Sequence, residues 1–141
     1  MAEGSSALRV DVVSPERILF SGEARQVITR TLQGGEIAFL PGHAAFLGAL
    51  TENHTRIYLV DGSIQHIAVH LGFVEVGPDH VSILSDSAEL AQDIDVKRAK
   101  DAMTKAQEQL RTEVTTEAES ALRRANARLA ASGNTGSAAS H

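Results

Sequence analysis

A chain of 141 residues, 43% hydrophobic and 22% charged, has the size and balance of one ordinary globular domain, or of a domain with a small appendage. Zero cysteines exclude disulfides, thiolate metal sites and cysteine nucleophiles, and a formal charge of −5 makes the chain a poor general binder of nucleic acid. No apolar run approaches the roughly 20 residues of a membrane-spanning helix, and no basic-then-apolar leader opens the sequence, so neither a span nor a secretory signal is expected.

The net charge hides a split. Residues 1–94 hold five basic residues against twelve acids, whereas residues 95–141 hold eight against six. All the aromatic residues (Phe20, Phe39, Phe46, Tyr58 and Phe73) precede residue 74. In chain order, Leu8–Val13, Val27–Leu32, Arg56–Val60, Ile64–Val69, Phe73–Val76 and Val81–Leu84 are short, branched or alternating runs bounded by turn residues, the pattern of an antiparallel β unit. Asp61-Gly62 marks a hairpin, and Pro41-Gly42 and Gly77-Pro78-Asp79 mark further turns. Such spacing predicts a sandwich or flattened barrel over residues 1–88.

From Asp95 the period changes. Val96, Ala99, Met103, Ala106 and Leu110 form one helical stripe; Val114, Ala118, Ala121, Ala125 and Leu129 form a second. A two-helix hairpin is expected over residues 89–131, with Gly133 as a stop and a disordered tail over 132–141. Alanine-rich stripes bury little apolar area, so the pair should depend on docking elsewhere. A permanently folded pair and a mobile element with more than one docking surface both fit this composition.

No nucleophile elbow, zinc-protease motif or phosphate loop occurs. His43, His66 and His70 are the only histidine grouping that invites a metal reading, and their spacing is irregular for one; no metal is expected. The informative polar segment is Glu89 to Ala99. Asp95 is placed to cap the first helix, and closing the hairpin brings Arg124 and Arg128 towards Arg98, Glu89 and Asp95. Converging guanidiniums suit a phosphorylated ligand, but intramolecular Arg–carboxylate pairs are commoner and are the favoured reading of these residues by themselves.

Three segments, Gly35-Glu36-Ile37-Ala38-Phe39-Leu40-Pro41-Gly42-His43-Ala44, Gly72-Phe73-Val74-Glu75-Val76 with Val81-Ser82-Ile83-Leu84, and Asp93-Ile94-Asp95-Val96-Lys97-Arg98-Ala99, stand in this order before and within the helical part. Together they closely resemble the epsilon subunit of bacterial rotary proton-translocating ATP synthases, from about Leu8 to about Leu129. The resemblance implies a β-sandwich of about ten strands followed by an antiparallel two-helix hairpin. It also implies a non-catalytic central-stalk subunit that couples rotation to ATP synthesis and inhibits ATP hydrolysis through its helices. The implied partners are the gamma subunit and the c-ring, plus the alpha/beta head when the helices extend. Membrane association is then peripheral, through the complex, on the cytoplasmic side. No cofactor is required, but ATP is a candidate regulatory ligand: Ile94, Asp95, Arg98 and Ala99 match the family's Ile/Leu-Asp-x-x-Arg-Ala motif, and Glu89, Arg124 and Arg128 align with its supporting residues. Glu36, Leu40, Pro41, Gly42 and His43 fall in the segment implied to touch other subunits. Ala38-Phe39 and His70-Leu71 depart from the usual Gly-Ile and Ser/Gly of the family.

Overall fold

The computed structural model describes residues 7–133. The expected tail beyond Gly133 lies outside them. Nine strands precede two helices among the described residues: β1 Leu8–Val13, β2 Ile18–Thr31, β3 Gly35–Phe39, β4 Phe46–Leu50, β5 Asn53–Leu59, β6 Ile64–Val69, β7 Gly72–Val76, β8 His80–Leu84, β9 Glu89–Leu90, α1 Val96–Thr112 and α2 Thr116–Ala131. None of the described helices is long and apolar enough to cross a membrane.

The strands form one hydrogen-bonded path, β1-β8-β7-β4-β2-β5-β6-β9, with β3 on β2, and β1 also pairing β2. That path folds over into two layers because β2 belongs to both. Its first half pairs antiparallel with β1, from Ile18 to Ala24. A register shift between Ala24 and Gln26 then turns the strand, and its second half pairs with β5 and β3. One 14-residue strand thus stands in for two shorter ones, which is why nine strands fill a sandwich of about ten.

Alternation explains which side chains fill the core. Leu8, Val10 and Val12 on β1, Val74 and Val76 on β7, and Val81 and Ile83 on β8 point inward against Val27, Phe39, Ile57, Ile67 and Val69. The buried polar residues of this interior satisfy one another. Thr29 Oγ1 lies 2.8 Å from Thr55 Oγ1, Thr55 Oγ1 donates to Asn53 Oδ1 at 2.8 Å, and Asn53 Nδ2 donates to the Thr51 carbonyl at 2.7 Å.

The helices form a hairpin joined by Glu113, Val114 and Thr115, and α2 lies on the outer face of β5 and β6. Ala99 and Ala106 of α1 are buried, as are Ala118, Ala125 and Leu129 of α2. A separate small cluster seats α2 on the sandwich: Ala127 and Ala131 meet Ala68 of β6 and Ile94. At about 0.8 kcal/mol per buried methyl-sized group, that seam offers only a few kcal/mol. The hairpin is held lightly.

Two glycines differ in what they require. A Cβ on Gly72 would fall 2.2 Å from the Leu84 carbonyl oxygen, so the β7–β8 pairing demands hydrogen there. Gly62 has φ +93° but open space around it. Gly72→Ala should cost about 1–3 kcal/mol through forced strand displacement, and Gly62→Ala about 1 kcal/mol through the left-handed backbone alone. Urea unfolding of both variants checks this; equal midpoints would refute the close-approach argument.

Candidate functional site

The outer face of β6 carries His66 and Ala68, with His70 continuing the alternation just past the strand's end, and the outer face of β5 carries His54 and Arg56. Helix α2 covers part of this face, and polar groups border the alanine seam on both sides. On one side, Arg123 Nε donates to Glu52 Oε1 at 3.1 Å, bridging α2 to the turn before β5. Burial works to raise the Glu52 carboxyl, but hydrogen bonds from its own backbone N–H, from Arg123 and from Thr51 outweigh it and hold the group below its usual range. On the other side, Arg128 Nε donates to Glu89 Oε1 at 2.6 Å, and His70 Nε2 approaches the same oxygen to 3.3 Å. The hydrogen bond from His70, with help from Arg128 and against the cost of burial, lowers the Glu89 carboxyl to about 2.

Beside the Glu89–Arg128 pair opens a polar cavity of about 420 Å³, lined by Glu89, Asp93, Asp95, Arg98, Ala99, Ala102 and Arg128. The segment from Ile94 to Ala99 divides its labour. Ile94 is buried in the α2 seam, and Ala99 is buried under α2. Asp95 is the N-cap of α1: its side chain accepts the backbone N–H of Arg98 at 3.0 Å. Arg98 is exposed at the cavity and its guanidinium makes no ion pair with any described residue. Arg124 stands outside the cavity and pairs with Glu117 on its own helix at 3.3 Å. The fold therefore brings Glu89, Asp95, Arg98 and Arg128 together and leaves Arg124 one turn away. A cavity with exposed carboxylates and one uncommitted guanidinium can accept hydroxyl or amino donors at one end and bind phosphate oxygens at the other.

The remaining residues singled out from the sequence lie elsewhere. Glu36 on β3 receives Arg56 Nη2 at 2.6 Å. Leu40 is half exposed, and Pro41-Gly42 forms a turn in which Gly42, at φ +89°, donates its N–H to the Pro78 carbonyl at 2.7 Å. His43 rests its ring edge-on against Phe39 with centroids 4.9 Å apart, and its Nδ1 lies 2.7 Å from the Ala44 carbonyl. His66 pairs with His54, Nδ1 to Nε2 at 2.7 Å, so His43, His66 and His70 each have separate partners. Among the described residues no cluster of three or more His, Asp or Glu is placed to hold a metal ion. Sequence reasoning missed Glu52, Arg123 and the His54–His66 pair. The alternation of β6 was a usable signal for His66 and His70, but only strand register places His54 beside them.

The fold is thus a β-sandwich bearing a lightly docked helical hairpin, with a polar cavity at the hairpin's root and no catalytic constellation among the described residues. Residues 7–91 match the β-sandwich domain of the ATP synthase delta/epsilon chain, and residues 92–133 match its long α-helix domain. The chain belongs to that family. It is similar to ATP synthase epsilon chains of Brevibacillus brevis (45% identity, covering 74% of this chain and 79% of that one), of Solibacter usitatus (42%, covering 87% and 93%) and of Moorella thermoacetica (37%, covering 91% and 98%). A chain in the Euglena gracilis mitochondrial ATP synthase shares the fold at TM-score 0.77 and 18% identity, covering 89% of this chain and 81% of that one. It is an epsilon-type chain, non-catalytic in itself.

Acid should loosen the folded chain in two windows. Burial first, then the neighbouring His66 and Arg56, lowers His54 from 6.5 to about 4. Its neutral form therefore contributes stability that is complete above pH 6.5 and lost as pH falls towards 4. Ionised Glu89 contributes above pH 4.5 and loses its share as pH falls towards 2. Urea unfolding at pH 7, 5 and 3 should give falling midpoints, and His54→Gln should flatten the upper window. A midpoint unchanged between pH 7 and 4 would contradict the histidine assignment.

Proposed function

We propose that this chain is a central-stalk subunit of a proton-translocating ATP synthase, anchored by its sandwich and regulating ATP hydrolysis through the position of its hairpin, with ATP as a regulatory ligand of the docked form. The observation that carries this reading is the light seating of α2. A few small apolar side chains and two ion pairs, Arg123–Glu52 and Arg128–Glu89, hold the helix on a sandwich that keeps its own core without it. An element attached this weakly can exchange one docking surface for another. Its cationic character then draws it towards acidic segments of the alpha/beta head.

The sandwich offers a complementary anchor. On the outer face of β4, β7 and β8, Leu47 is 72%, Phe73 55% and Leu84 46% exposed, and the strand register sets Phe73 beside both Ala49 and Leu84. A contiguous apolar face on an otherwise acidic part fits the gamma subunit. The Leu40-Pro41-Gly42-His43 turn, with Glu36 on the strand before it, is assigned to subunit contact at the c-ring end. Association with the membrane is then peripheral and through the complex, on the cytoplasmic side.

ATP would enter the cavity at the root of α1, with Arg98 and Arg128 on the phosphates and the carboxylates of Glu89 and Asp95 on donor groups of the nucleoside. Ile94 and Ala99 act indirectly by keeping α2 seated, and Arg124 contributes after releasing Glu117. Binding stabilises the docked form only by its preference for that form. Isothermal titration of the full chain with millimolar ATP should give saturable binding, weakened about ten- to hundredfold by Arg98→Ala. Absence of binding by the unmodified chain would remove ATP from this proposal.

The regulatory reading has its own test. ATP hydrolysis by the reconstituted head is compared with the full chain and with a truncation after Asp93, which keeps every residue of the sandwich core. Hydrolysis should be faster with the truncated form, while both forms still co-purify with gamma. Equal rates would end the inhibitory role, and loss of gamma by both would end the stalk assignment.

A further inference from the structure

The two-residue connection between β6 and β7 begins with His70, which is 2% exposed. Its Nε2 faces Glu89 Oε1, and its Nδ1 is buried without a hydrogen-bond partner. An ionised carboxylate only accepts, so Nε2 carries a proton and donates to Glu89. Arg128 Nε donates to that same Oε1. One oxygen of Glu89 thus takes donors from both the sandwich and α2, and Oε2 takes none from the described residues. The other charged groups lining the cavity with Glu89 are Asp93, Asp95, Arg98 and Arg128.

We propose that His70 is the positioning residue of this cavity: its Nε2–H fixes the Glu89 carboxylate so that Oε1 seats Arg128, and with it α2, while Oε2 stays open to a donor on the bound ligand. An apolar residue would fill this space without the cost of the buried, unpartnered Nδ1, so the functional group that His70 supplies is its Nε2–H towards Glu89. The ligand half of the proposal rests on the nucleotide reading above; the Glu89–Arg128 half does not.

Two variants of the full chain separate a hydrogen-bonding role from a packing role. His70→Leu keeps the volume and removes the donor, whereas His70→Gln returns an N–H near the position of Nε2. The first readout is the Glu89 carboxyl titration followed by carbon NMR, which needs no ligand. Its midpoint, about 2 in the unmodified chain, should rise towards 4.5 in His70→Leu and fall back in His70→Gln. The second is ATP affinity by calorimetry, which should weaken about tenfold in His70→Leu and recover in His70→Gln. A Glu89 midpoint unmoved by His70→Leu overturns the proposal outright. A shifted midpoint in a chain that binds no ATP supports the seating of Arg128 by His70 and overturns the ligand half together with the nucleotide reading.

Discussion

One carboxylate joins the two halves of this molecule. Glu89 sits on the last and shortest strand, so its backbone belongs to the sandwich through β6. Its side chain takes Arg128 from α2 and His70 from the connection after β6 on a single oxygen. Hydrogen bonds to a charged acceptor are stronger than neutral ones, and partial burial reduces their screening. The Arg128 contact ties α2 down beside Ala68, and Glu89 and Arg128 together form one wall of the cavity that holds Asp95 and Arg98. Without that contact the helix would rest on the alanine seam and on Arg123–Glu52.

The imbalance of charge along the chain takes on a structural meaning here. The acidic residues of the first part supply Glu52 and Glu89, and the basic residues of the second supply Arg123 and Arg128. Complementary charge guides the hairpin to its place, and the small apolar seam keeps it there only weakly. A larger seam, built of leucine and phenylalanine, would bury more apolar area and hold the hairpin more tightly. Alanine at Ala68, Ala127 and Ala131 keeps the apolar area buried between α2 and the sandwich small.

The sequence disclosed most of the strands and both helices because alternation and the helical period are local properties. Leu8–Val13, Ile64–Val69 and the stripes of α1 and α2 appear in the structure with little change. Strand β4 was hidden because Phe46-Leu47-Gly48-Ala49-Leu50 is apolar throughout, with a glycine at its centre. The first half of β2 was hidden because Ser21, Gly22 and Glu23 interrupt it, and only pairing with β1 keeps it extended. The cavity was partly legible: the Asp95 cap and the approach of Arg128 to Glu89 follow from closing the hairpin. Arg124 turning to Glu117, and His70 reaching Glu89, depend on helix rotation and strand register, which no local pattern specifies.

The helix caps carry a mechanical consequence. Asp95 caps α1, and Thr115 caps α2 by accepting the Ala118 N–H at 3.1 Å, so each helix starts on a residue of its own segment. Neither cap borrows a group from the sandwich. Lifting the hairpin would therefore leave both helix starts intact and confine any bending to the non-helical residues before Val96 and between Thr112 and Thr116. If the hairpin moved it would do so as two stiff rods on short hinges, and the cost would be set by the seam it left and not by any unwinding.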